Sequence, residues 1–175
     1  MKTIVIYKSK TGFTKKYANW ISEELSADIC EFSNTDIDKL TDYETIIYGG
    51  GLYVGGINGV KLITQNIDKL KDKKVVVFAT GASPAREEVV SEVKNRNFTS
   101  KQQQSIKFFY LRGGFDYNKL NFINKGLMTL LKFNLKNKKK LTPDERGMLE
   151  AYNTPVDFTR KENIEEIISY VNDKS

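Results

Sequence analysis

The sequence contains no histidine, and cysteine occurs once, at position 30. Without histidine the chain lacks the side chain that moves protons near neutral pH and the commonest metal ligand, which argues against triad hydrolysis and zinc catalysis. A lone Cys30 excludes an intrachain disulfide and a Cys-x-x-Cys redox centre; the residue is expected to be a small buried hydrophobe. Long hydrophobic runs are missing too. No stretch approaches the roughly 20 apolar residues of a membrane-spanning helix, and the opening Met1-Lys2-Thr3-Ile4-Val5-Ile6-Tyr7 has no extended apolar segment. A cytoplasmic protein is expected, at most peripheral to the inner face of a membrane, in which any difficult chemistry falls to a cofactor.

The 175 residues suffice for one domain with a real core. The net charge of +6 is unevenly spread: no acidic residue lies between Asp116 and Asp144, where Lys119, Lys125, Lys132, Lys136, Lys138, Lys139 and Lys140 fall. Without those lysines the rest of the chain is close to neutral, so the basicity belongs to one segment.

Short β-branched or aromatic runs at Thr3–Tyr7, Thr45–Tyr48 and Lys74–Ala79 read as buried parallel strands, each leading into a glycine- or hydroxyl-rich stretch. Asp28–Phe32 and Ser105–Leu111 add two more. Helical spacing separates them: Ala18, Ile21 and Leu25; Val60, Ile63, Ile67 and Leu70; Arg86–Val93; and a closing helix over Lys161–Val171. Alternating strands and helices predict a doubly wound α/β domain with a five-stranded parallel sheet in the order 2-1-3-4-5. Residues 113–156 break the rhythm, because about 40 residues separate the last strand from its helix, and they read as an insertion.

In such a sheet ligands bind beyond the carboxyl ends of the strands, where the order reverses. The first loop there, Ser9-Lys10-Thr11-Gly12-Phe13-Thr14, joins a strand to a helix and offers hydroxyls and free amides to a phosphate. The same residues also suit an ordinary capped turn, and the Gly-Lys-Ser/Thr ending of a Walker A loop is absent. The second, Gly49-Gly50-Gly51-Leu52-Tyr53-Val54-Gly55-Gly56, carries a heavy entropic cost that a planar ring against its backbone would offset; a permissive surface loop is the other reading. The third, Ala79-Thr80-Gly81-Ala82-Ser83-Pro84, has small residues that let amides approach a heterocycle edge. Trp20 reads as packing on the first helix.

With these residues in view, the sequence resembles the flavodoxins over nearly its whole length. Ser9-x-Thr11-Gly12-x-Thr14 looks like their phosphate loop, and the other two loops match their flavin loops in position. The resemblance implies FMN as cofactor. Its phosphate would be held by Ser9, Lys10, Thr11, Gly12, Phe13 and Thr14, and its ring surrounded by Gly50, Gly51, Leu52, Tyr53, Val54 and Gly55 together with Thr80, Gly81, Ala82 and Ser83. No protein residue is expected to be catalytic, and no metal or nucleic acid is expected as a partner.

Within the insertion, Leu120, Ile123, Leu127, Leu130, Leu131, Asn134 and Leu135 fit an amphipathic helix, with Phe122, Met128 and Phe133 widening its apolar side. Its lysine-lined flank suits an anionic membrane or a partner, while packing on the domain itself is the alternative. A basic insertion at this place, with Arg112-Gly113-Gly114-Phe115-Asp116-Tyr117 leading into it, resembles the flavodoxin-type protoporphyrinogen IX dehydrogenases of heme biosynthesis. That resemblance implies oxidation of a reduced porphyrin-like substrate and electron transfer to menaquinone, with segment 117–140 at the membrane surface. A flavodoxin-type electron-transfer protein serving a redox partner is the alternative.

Overall fold

The chain is described by a computed structural model covering residues 2–120 and 122–173, with the backbone alone at residues 122–124, 127 and 144. In chain order it runs β1 (Thr3–Lys8), α1 (Phe13–Leu25), β2 (Asp28–Glu31), α2 (Ile37–Leu40), β3 (Thr45–Tyr53), β4 (Gly56–Ile57), α3 (Lys61–Thr64) and β5 (Lys74–Gly81). It continues with α4 (Glu87–Asn97), α5 (Ser100–Ser105), β6 (Ile106–Arg112), β7 (Gly114–Phe115), α6 (Phe122–Lys136), α7 (Pro143–Ala151), β8 (Val156–Asp157) and α8 (Glu165–Asn172). The main sheet has the order β2-β1-β3-β5-β6, all parallel, with β4 folded back antiparallel on β3. Setting that hairpin strand aside, this is the predicted order.

Side chains alternate between the two faces, as a strand period of two demands. Ile4, Ile6, Ile46, Tyr48, Val75 and Val77 face one way, where Val60, Ile63, Leu70 and Val93 cover them. Val5, Tyr7, Ile47, Val76 and Phe78 face the other, under Tyr17, Ala18 and Ile21 of α1 and Ile167 and Val171 of α8. Burying each such aliphatic side chain contributes roughly 1.5–3 kcal/mol.

Several expectations change. The helix read through Val60–Leu70 is α3 followed by a separate 3-10 turn at Ile67–Leu70. Asn66 breaks it, because its side-chain amide donates to the Leu62 carbonyl at 2.9 Å and competes with the helical bond. Cys30 is only partly buried, since β2 is the sheet's edge strand; its thiol accepts a hydrogen bond from the Thr35 hydroxyl at 3.6 Å. Trp20 packs edge-on against Tyr17, as a structural residue does.

The insertion is more ordered than a single amphipathic helix. β7 and β8 pair antiparallel, Gly114 with Asp157 and Phe115 with Val156, and the Phe158 amide donates to the Gly113 carbonyl at 2.8 Å. This clasp brings the two ends of the insertion together at the sheet. Beyond it α6 and α7 pack around Tyr152, whose ring meets Phe115 and Tyr117 and whose hydroxyl donates to the Met128 carbonyl at 2.6 Å. Leu120 and Leu135 are buried, whereas Leu130, Leu131 and Phe133 are exposed, Phe133 by 63%. Phe122, Ile123 and Leu127, part of the expected apolar face, have side chains outside the described residues.

Candidate functional site

The loop after β1 turns into α1 at Gly12, whose φ of +95° is a left-handed conformation that glycine adopts without a Cβ penalty. The first intrahelical bond runs from the Lys16 amide to the Gly12 carbonyl, so the amides of residues 13–15 precede it and lack helical acceptors. Gly12 as N-cap offers no side-chain acceptor, and the first turn holds no acidic residue. Ser9 Oγ instead accepts from the Gly12 amide at 3.1 Å and fixes the loop. Three amides and the positive helix end thus remain available to an anion.

Thr14 follows in the first turn of α1. Its buried hydroxyl shares a 2.6 Å hydrogen bond with the hydroxyl of Thr80, at the end of β5. Between these two lies Gly51: a Cβ there would sit 3.5 Å from Thr14 Oγ1 and 3.8 Å from Thr80 Oγ1. The first turn of α1 and the carboxyl ends of β3 and β5 therefore meet at Thr14, Gly51 and Thr80. Phe13 points into the domain, against Gly113 and Gly114, leaving its backbone amide as its contribution to an anion site.

The second loop differs from its sequence reading. Gly49, Gly50 and Gly51 belong to β3 itself, and at the first two the lack of a side chain has a packing cause. A Cβ at Gly49 would collide with the ring of Phe78, its register partner on β5, and one at Gly50 would lie 2.7 Å from the Asn58 carbonyl oxygen. No ligand is needed to account for Gly49 and Gly50, whereas a Cβ at Gly51 would meet only ordinary contacts. The loop proper is a two-residue hairpin turn, Val54-Gly55, with φ of +50° and +77°; positive φ at both positions matches the turn that the twist of a hairpin favours. Asn97 pins this turn to α4: its amide donates to the Gly55 carbonyl at 2.9 Å, and its carbonyl accepts from the Ile57 amide at 2.8 Å.

Sequence reasoning left open which aromatic side chain serves the site. Tyr53 is partly buried at the mouth, its ring lies beside Gly51, and Lys10 Nζ stands 4.3 Å from its centroid. Burial raises the Tyr53 pKa, so the phenol stays neutral. This cation–π contact ties the first loop to the second. Leu52 reaches Gly81 of the third, where a Cβ would be 3.0 Å from Leu52 Cδ1.

Three residues outside the predicted set shape the third loop. Tyr110 donates its hydroxyl to the Ser83 carbonyl at 2.9 Å, Arg112 Nε donates to the Ala82 carbonyl at 3.2 Å, and the Gly113 amide donates to the Gly81 carbonyl at 2.7 Å. Tyr110 and Arg112 lie on β6, which register pairs with the end of β5; only that pairing reveals them. Ala82 and Ser83 themselves are exposed. Between this loop, the β7–β8 clasp and α7 lies a cavity of about 420 Å³.

The sequence matches the model of the flavodoxin domain over residues 4–142. An uncharacterized protein of Methanocaldococcus jannaschii is 30% identical over 135 residues, 69% of this chain and 89% of that protein. Among solved structures, the flavodoxin of Megasphaera elsdenii in its two-electron reduced state is 19% identical, with 62% of this chain and 84% of that one covered and a TM-score of 0.46. Oxidised flavodoxin 2 of Bacillus cereus is 22% identical, with 64% and 86% covered and a TM-score of 0.45. By the extent of the family match and the relative's identity, the chain belongs to the flavodoxin domain family.

Proposed function

We propose that this protein is an FMN-dependent oxidoreductase, with the phosphate at the N-terminus of α1 and the ring between the β3–β4 hairpin and residues 80–83. The carrying observation is the meeting of the first turn of α1 with the carboxyl ends of β3 and β5, at Thr14, Gly51 and Thr80, beside an acid-free helix terminus. The residues fit the group: first-turn amides suit a phosphate dianion, and Tyr53 and Leu52 supply apolar surface for a planar ring. Ser9 and the Thr14–Thr80 pair hold the loops in place, while Lys10 brings a positive charge to the mouth. When bound, the flavin supplies hydride or electron transfer, and the protein positions it and sets its electrostatics. An absorption spectrum of the purified protein before and after FMN titration tests the cofactor. A colourless preparation that takes up no nucleotide would remove this reading.

The finer reading is dehydrogenation of a reduced porphyrin-like substrate with transfer of electrons to a quinone. It is supported by the insertion, which has a cavity beside the third loop and exposes Leu130 and Phe133 on a lysine-rich helix. FMN-loaded protein incubated with protoporphyrinogen IX and menaquinone should gain porphyrin fluorescence faster than autoxidation. Equal rates with and without the quinone favour instead an electron-transfer protein that meets an acidic redox partner through its basic segment.

A further inference from the structure

The cavity between the third loop and the insertion has the chemistry of a site in its own right. Its walls are mostly apolar: Pro84 from the loop, Phe115 and Phe158 from the clasp, and Met148 from α7, with Ala82 and Ser83 forming the border it shares with the proposed flavin site. Two charged side chains reach it. Glu145 is already neutralised, accepting from Lys138 Nζ at 2.7 Å and from the Thr142 amide at 2.8 Å, and these bonds hold its pKa below the usual value. Arg112 is not. It stacks its guanidinium 3.7 Å from the centroid of Phe158 and spends Nε on the Ala82 carbonyl; among the described residues no carboxylate pairs with it. A guanidinium carries five donors, so most of its fork faces no protein anion in a largely apolar, partly open cavity.

We propose that this cavity binds a planar aromatic carboxylate, its ring between Phe115, Phe158 and Met148 and its carboxylate on Arg112. An aromatic ring suits this lining because edge-to-face and sulfur–aromatic contacts add to simple burial. The carboxylate follows from charge complementarity, since an arginine fork pairs carboxylates in two parallel hydrogen bonds. A volume of about 420 Å³ lies at the small end of ligand pockets. It matches one or two fused rings and leaves a larger macrocycle to enter by an edge. That the bound molecule exchanges electrons with the cofactor rests on the flavin reading; its binding does not.

Calorimetric titration of the full chain with 2-naphthoate, and with the neutral 2-naphthamide, tests the site with and without FMN present. Naphthoate is expected to bind at one site and the amide at least about tenfold more weakly, the factor expected for losing a charged hydrogen-bond partner. Arg112→Gln should erase the difference between the two ligands, and Met148→Trp, which fills the cavity, should abolish binding of both while FMN uptake stays unchanged. Equal affinity for the two ligands overturns the proposal, and so does unchanged naphthoate binding in Met148→Trp, whether or not Arg112→Gln folds. A wild-type protein that binds naphthoate selectively but takes no FMN removes the flavin reading alone. Uptake of FMN without naphthoate binding removes this inference alone.

Discussion

Thr14 and Thr80 each bury a hydroxyl whose protein partner is the other. Replacing either by valine strands its partner in a buried site, at a cost of about 1–3 kcal/mol, whereas replacing both removes the unmet group together with the bond. Thr14→Val and Thr80→Val should therefore each lower the urea midpoint, and the double variant should recover part of the loss. Additive losses would mean that water already satisfies these hydroxyls. A second residue-scale effect belongs to Tyr110, whose pKa burial raises from 10.0 to about 12. The folded state then retains a proton that the unfolded chain gives up. Its stabilising share is full below pH 10 and is lost as the pH rises through 12, by up to about 1.4 kcal/mol for each pH unit in that window. Phenylalanine at 110 abolishes this term, so its stability should fall less steeply over the same range in alkaline chemical denaturation.

At the scale of elements, the β3–β4 hairpin carries a local conflict. Val54 is β-branched and 79% exposed, yet it holds a φ of +50°, a conformation such residues rarely adopt. Asparagine or glycine is the usual choice in this turn. Val54→Asn is expected to stabilise the protein by about 1 kcal/mol, read as a rise in thermal midpoint. A fall would show that the valine side chain makes a contact that outweighs the strain. Asn97 is what holds the turn against α4. This hairpin also marks where sequence reading reached its limit. The five parallel strands, their order and the first and third loops were legible because apolar runs and glycine or hydroxyl clusters are local patterns. That Gly49 yields to Phe78, a packing partner 29 positions along, was not, because it depends on register between β3 and β5. The same holds for Tyr110 and Arg112, which reach the third loop only through the pairing of β6 with β5. The break at Asn66 escaped detection for a different reason: apolar spacing runs through it undisturbed, and only the side-chain bond to Leu62 stops the helix.

At the scale of the molecule, charge and exposed apolar surface are neighbours along the insertion. Lys138 is paired with Glu145 and Lys119 with Asp116, which leaves Lys136, Lys139 and Lys140 exposed and without a carboxylate partner among the described residues. They follow directly on the stretch of α6 that exposes Leu130 and Phe133. We propose that this surface attaches to an anionic bilayer; among the described residues no helix is long and apolar enough to cross one. Each lysine near an anionic surface contributes about 1 kcal/mol, and an inserted aromatic side chain adds apolar burial. Together these terms predict flotation with vesicles containing an anionic lipid at low salt, and none with purely zwitterionic vesicles. In 1 M salt, where the screening length shrinks to about 3 Å, the lysine share should vanish and the protein should largely sediment. Leu130→Glu combined with Phe133→Glu should release it even at low salt, because the exchange removes the inserted groups and adds charge of the repelled sign. Recovery of the wild-type protein in the bottom fraction with anionic vesicles at low salt would assign this surface to a protein partner instead.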